Sequence, residues 1–163
     1  LILVLTCMLI PKKLIYSNVM DVNYETKASS IQSKGTKQQN KEVINITNEE
    51  LLLLSKLVTG EARGESYEGQ VAVGAVVLNR VKNPGFPNTL EGVIYQPWAF
   101  TALHDGQFSL EPNSTAYQAA QDAFNGWDPS YGSIYYYNPV TATSSWIFSR
   151  TTVVTIGNHV FAV

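Results

Sequence analysis

Glu61 stands between Gly60 and Gly64 in the stretch GEARGE, directly after the apolar run LLLLSKLVT. With Leu54 as the reference direction and about 100° per helical residue, Leu57, Val58 and Glu61 all fall within roughly 60° of it. Glu61 therefore points into an apolar stripe. A carboxylate so placed loses water, which penalises its charged form and suits it to hold and deliver a proton, the work of a general acid. Gly60 and Gly64, lacking side chains, would let a polymer approach the helix end closely. The same placement also fits an acid that ends a helix or pairs with Arg63, Arg80 or Arg150.

Other chemistries lack their residues. The only histidines, His104 and His159, are about 55 residues apart with no HExxH pattern, which disfavours a zinc peptidase or amidase. His159, beside a turn signal, reads as a surface residue. Cys7 is the sole cysteine and lies in the N-terminal leader, so a cysteine nucleophile, a disulfide and a cysteine-based metal site are not expected in the folded part. No GxSxG, SxxK or P-loop motif occurs. Carboxylate chemistry remains, with no cofactor or metal expected. Glycoside cleavage ordinarily uses two acids, and Glu65, Glu68, Asp105 and Asp128 are all available, but spacing singles out none. A single acid suffices where the sugar itself supplies the nucleophile. Residues 1–49 hold six Lys/Arg and four Asp/Glu (net +2), and residues 50–163 hold five and nine (net −4), giving the chain's −2. A nucleic-acid surface, which needs clustered cations, does not fit.

The elements that must position Glu61 follow from pattern. At 163 residues the chain has room for one domain with a substantial core. Residues 1–20, opening LILVLTCMLIPKK, read as an export signal entered partway and removed, or as a short anchor. Residues 21–46 are polar with few groups able to bury area, and read as a linker. The folded part is expected over 47–163. Thr47 and Glu50 form a capping-box pattern before the first helix. Ser66 caps a second helix over YEGQVAVGAVVLNRVKN, whose β-branched, all-apolar centre also resembles a strand. Asn113 or Ser114 caps a third, alanine-rich helix ending at Gly126, and a short helix fits near Leu90 to Tyr95. SIYYYN (133–138) and a hairpin turning at Gly157-Asn158 supply a small antiparallel element. Helices first and strands last indicate an α+β fold.

Sixteen of the eighteen aromatic residues follow position 66, many in loops or terminal strands, so they cannot all be core. Tyr135 and Tyr137 share one face of a strand and Tyr136 takes the other. Flat rings with polar tips suit sugar faces and hydroxyls.

Three segments carry a resemblance: GEARGESYEGQVAVGAVVLNRVKNPGFPNT, GVIYQPWAFTA and NGWDPSYGSIYYYNPVTATSSWIFSR. From about Leu51 to Val163 the chain resembles the catalytic domain of SleB-type cell wall hydrolases, the spore cortex-lytic enzymes of germination. The resemblance implies a lysozyme-like α+β fold and a lytic transglycosylase acting on peptidoglycan. It implies Glu61 as the catalytic acid and then base, cutting between N-acetylmuramic acid and N-acetylglucosamine and leaving a 1,6-anhydro end. It also makes Gln70, Phe100, Thr101, Tyr136, Asn138 and Trp146 candidates for lining the glycan cleft, with Asn79 and Arg80 bracing the second helix or orienting Glu61, and Glu65 a structural acid or one that supports the site from behind. Family members often carry an N-terminal peptidoglycan-binding module, whereas here a linker joins leader and catalytic part. Affinity would then come from the cleft or from an accessory protein. A secreted monomer at the wall or spore cortex is expected, with no membrane association after leader removal. A hydrolytic muramidase with a second acid, and a non-catalytic glycan-binding domain, are the alternatives.

Overall fold

The computed structural model of the chain describes residues 46–163; the expected leader and nearly all of the expected linker lie outside the described residues. Helix α1 (Asn48–Ala62) begins at the capping box: the Glu50 N–H donates to Thr47 Oγ1 at 3.1 Å, and the Thr47 N–H donates to Glu50 Oε2 at 3.0 Å. Leu54, Leu57, Val58 and Ala62 are its buried apolar face. Ser55 and Thr59 are buried too, and each hydroxyl donates to the carbonyl four residues back, at 2.7 and 2.9 Å, which offsets the penalty for burying it.

Helix α2 (Tyr67–Lys82) starts where Ser66 Oγ accepts the Gly69 N–H at 3.2 Å. Every residue from Gly69 to Val77 is buried, so the all-apolar stretch is the central helix and not a strand. Its branched side chains pack on all sides, and this burial outweighs their weak helix preference. The short α3 (Leu90–Ile94) is capped by Thr89. In α4 (Ser114–Phe124), Asn113 Oδ1 accepts the Ala116 N–H at 2.9 Å, and Ala116, Ala119, Ala120 and Ala123 are buried. One core cluster joins these alanines to Leu54, Leu57 and Val58 of α1, Val71 and Val77 of α2, and Val93 and Ile94 of α3.

The remaining chain forms β1 (Tyr135–Tyr137), β2 (Thr152–Ile156) and β3 (His159–Ala162), antiparallel in the order β1-β3-β2. The β2–β3 hairpin turns at Gly157-Asn158 as expected, with Gly157 at φ +57°. The last strand in sequence is thus the middle one in space. Its Phe161 pairs with Tyr136 in register and packs on Ala62, Ala72, Val73 and Val76, fastening the sheet to the end of α1 and the middle of α2. The fold is a helical lobe carrying a small antiparallel sheet, the α+β class expected. Among the described residues no helix is long and apolar enough to cross a membrane.

Candidate active site

Glu61 lies in the last turn of α1, half-buried, at the wall of an open cavity of about 830 Å³. Both of its oxygens are occupied. Oε1 accepts the Ala102 N–H at 2.6 Å, and Oε2 accepts the Tyr136 hydroxyl at 2.9 Å. Ala102 sits in a short 3-10 turn, Thr101–Leu103, whose early N–H groups have no partner within the turn and are free to donate outward. Gly60 makes this contact possible: a Cβ there would meet the Ala102 Cβ at 2.5 Å. The expectation that Gly60 opens space for a polymer is therefore corrected, because the space is filled by the protein's own turn. A Cβ added at Gly64 would meet nothing within 4 Å.

Tyr136 is held from below by Phe161 (6.0 Å between ring centroids) and at its edge by His159 (5.2 Å). Burial, then the charge and hydrogen bond of Glu61, push the Tyr136 phenol well above its usual value. It keeps its proton and remains a donor. His159 is only 9% exposed and lines the cavity, so its reading as a surface residue is overturned. It opens the central strand, where a neighbour covers each side. Burial lowers the His159 imidazole, opposed by the negative charges of Glu65 and Glu61.

The other wall is built around Arg80. Its Nε donates to Ile134 O at 2.7 Å, and its guanidinium lies 4.9 Å from the Phe100 ring, 5.3 Å from Phe86 and 5.8 Å from Tyr135. Burial pulls Arg80 below its ordinary value, against Tyr136, Tyr135 and Glu61, yet a guanidinium stays charged at physiological pH. Beside it in sequence, Asn79 Nδ2 donates to Asp128 Oδ2 at 2.9 Å and to Ser133 O at 3.1 Å. Asp128 also accepts from Ser130 N–H, Ser130 Oγ and Gly132 N–H. Asn79 and Arg80 thus clamp residues 128–134, the segment that delivers β1 and its tyrosines to the cavity.

Of the residues expected in the cleft, Phe100, Thr101, Tyr136, Asn138 and Trp146 all line the cavity with Glu61. Phe100 is buried beneath Arg80, while Thr101 and Trp146 are exposed. Asn138 Oδ1 accepts the Val140 N–H at 2.9 Å, shaping the turn after β1. Gln70 does not join them. It is buried at the α1–α2 junction and donates to Glu65 O at 3.2 Å, because its position in the first turn of α2 faces that junction. Glu65 accepts from the Asn158 N–H at 3.0 Å and its side-chain amide at 2.9 Å, clasping the hairpin tip; a side chain at Gly157 would strike it. Burial pushes Glu65 up, but the Asn158 bonds, with His159, leave it below its ordinary value. Glu68 is exposed, Asp105 bonds Gln107 in its own turn, and Asp128 is enclosed by its four donors. Among the described residues lining the cavity, Glu61 is the only acid. Sequence reasoning missed the Ala102 N–H, His159 and the ring cage of Arg80; Gly60 was the one available signal for the first.

Residues 64–162 match the family described as Cell Wall Hydrolase. The chain belongs to that family. The match begins three residues after Glu61 (64 − 61), and both groups bonded to Glu61 lie inside it. The chain is 56% identical over 115 residues to the spore cortex-lytic enzyme of Bacillus subtilis, covering 71% of this chain and 38% of that protein. Against the catalytic domain of the germination-specific lytic transglycosylase SleB from Bacillus anthracis, it is 51% identical with a TM-score of 0.70, covering 74% of this chain and 98% of that domain. The SleB catalytic domain of Bacillus cereus gives 48% identity and a TM-score of 0.69, covering 78% and 100%. The chain therefore spans well under half the length of the Bacillus subtilis relative.

Proposed function

We propose that this protein is a peptidoglycan lytic transglycosylase, cutting the bond from N-acetylmuramic acid to N-acetylglucosamine with Glu61 as its one acid and base. The observation that carries the reading is a single carboxyl in the cavity wall, with each oxygen fixed by one donor and no second acid beside it. Glu61 in its acid form gives its proton to the linking oxygen as the C1–O bond breaks. Charge develops at C1, and the muramoyl C6 hydroxyl oxygen closes onto that carbon. Its proton passes to the Glu61 carboxylate, restoring the acid. No water is consumed, so a second carboxylate to activate one is unnecessary. Holding the carboxyl in one orientation through both transfers is the task of Ala102 and Tyr136.

Phe100, Thr101, Tyr136, Asn138 and Trp146 form the cleft that takes the glycan strand. Wall or spore cortex is the place of action, in keeping with the spore cortex-lytic relatives. The test is mass spectrometry of fragments released from purified cortex and vegetative wall. Anhydro ends are expected with wild type, each lighter by one water than a reducing end. Glu61→Gln is expected to lower release by about 10²- to 10⁴-fold while the fold persists. Reducing ends would identify a hydrolase instead, and undiminished release by Glu61→Gln would remove Glu61 from the chemistry.

A further inference from the structure

Trp98 occupies a position that a tryptophan should avoid. Its φ is +63°, in the left-handed region that bulky L residues rarely enter. The Ala99 N–H donates to Gln96 O at 3.1 Å, closing a four-residue turn with Pro97 second and Trp98 third. Proline second and positive φ third are the marks of a type II turn, whose third place ordinarily falls to glycine. The side chain gains little from the protein in return, being 82% exposed. Local folding therefore gives no reason for an indole here.

The site gives one. Trp98 lines the cavity that holds Glu61, and its ring stacks on His104 at 4.5 Å and 21° between planes. One face is thus backed by a second ring, which fixes the indole's attitude, and its high exposure leaves the other free. A large, oriented aromatic face in the wall of a polar cleft suits the apolar C–H face of a pyranose. Strain retained at a cavity wall, with one exposed ring stack as its only structural return, is the pattern of a residue kept for its ligand.

We propose that Trp98 is a sugar-stacking platform, a subsite for a pyranose ring of the glycan strand alongside the bond that Glu61 acts on. This rests on the glycan-cleaving reading above. His104 is its backing residue, and the turn from Gln96 to Ala99 sets its height in the wall.

The experiment uses the full chain carrying Glu61→Gln, so that wall material is bound and not cut. Retention on purified insoluble peptidoglycan and thermal melting are measured for it alone and with Trp98→Gly or Trp98→Phe added. Trp98→Gly fits the turn better than tryptophan, so its melting temperature is expected to stay level or rise while glycan affinity falls roughly 3- to 10-fold. Trp98→Phe, which keeps a ring, is expected to retain most of the affinity. Undiminished retention by Trp98→Gly would overturn the platform, as would a lowered melting temperature accompanying the loss, since that marks a structural residue. Failure of the Glu61→Gln parent itself to bind peptidoglycan would instead overturn the glycan-cleaving reading, and the platform with it.

Discussion

At the scale of single residues, the site is a carboxyl whose surroundings decide its use. Tyr136 supplies the hydroxyl to Glu61 Oε2 and is packed by Phe161 and His159. Replacing it with Phe keeps the ring and deletes one donor to the acid. A hydrogen bond to a charged group is worth about 1.5–3 kcal/mol, so the initial rate of muropeptide release by Tyr136→Phe should fall roughly 10- to 100-fold with little change in melting temperature. A rate within about threefold of wild type would show that the phenol does not hold the acid in its working orientation. Glu61 was legible in the sequence because its apolar neighbours recur at helical spacing. The Ala102 N–H was not, since a backbone donor carries no residue identity and any residue but proline would supply it. Gln70 was misplaced for the opposite reason: belonging to a motif says nothing about which side of a helix it occupies.

At the scale of elements, what was local was readable. The Thr47 box, the Ser66 and Asn113 caps and the Gly157-Asn158 turn are each settled within a few residues, and each is found where the pattern put it. Strand order is not local. The hairpin was evident, but nothing in it indicates that β3 would lie between β1 and β2 and bury His159. Between helix and sheet, the Asp128 cradle joins α2 to the segment leading into β1. Burial raises the Asp128 carboxyl, but the bonds from Ser130, Asn79 and Gly132 outweigh it and leave it below its ordinary 3.8. A depressed carboxyl stabilises the fold fully above its unfolded value, and that contribution is lost as pH falls through the lower folded value. Asp128→Asn, which cannot accept from all four donors, should lose about 1–3 kcal/mol at neutral pH. Acid titration of its unfolding should be flatter than wild type below pH 3.8, with the Glu65 contribution still present. A parallel acid profile would exclude Asp128 as the linked group.

At the scale of the whole molecule, the charge is on the wrong side for electrostatic capture. Residues 50–163 carry net −4 (five Lys/Arg against nine Asp/Glu), and peptidoglycan carries carboxylates of its own. Binding by rings and hydrogen bonds makes retention of the Glu61→Gln chain level or stronger as salt rises from about 0.05 to 0.3 M, where screening relieves repulsion. A steep fall with salt would instead point to cationic contacts. The class of fold was legible because helices and strands fall in separate halves of the chain; the meeting of those halves was not, because it depends on contacts far apart in sequence. Glu61 belongs to the first helix among the described residues, whereas its two donors come 41 and 75 residues later, and the strand that supports Tyr136 is completed only at Ala162. A ribosome-bound chain already displays its acid long before anything can aim it. A nascent copy halted before β3 would thus bear Glu61 without the strand that backs its phenol donor, and the arranged site comes into being only once Ala162 has been added.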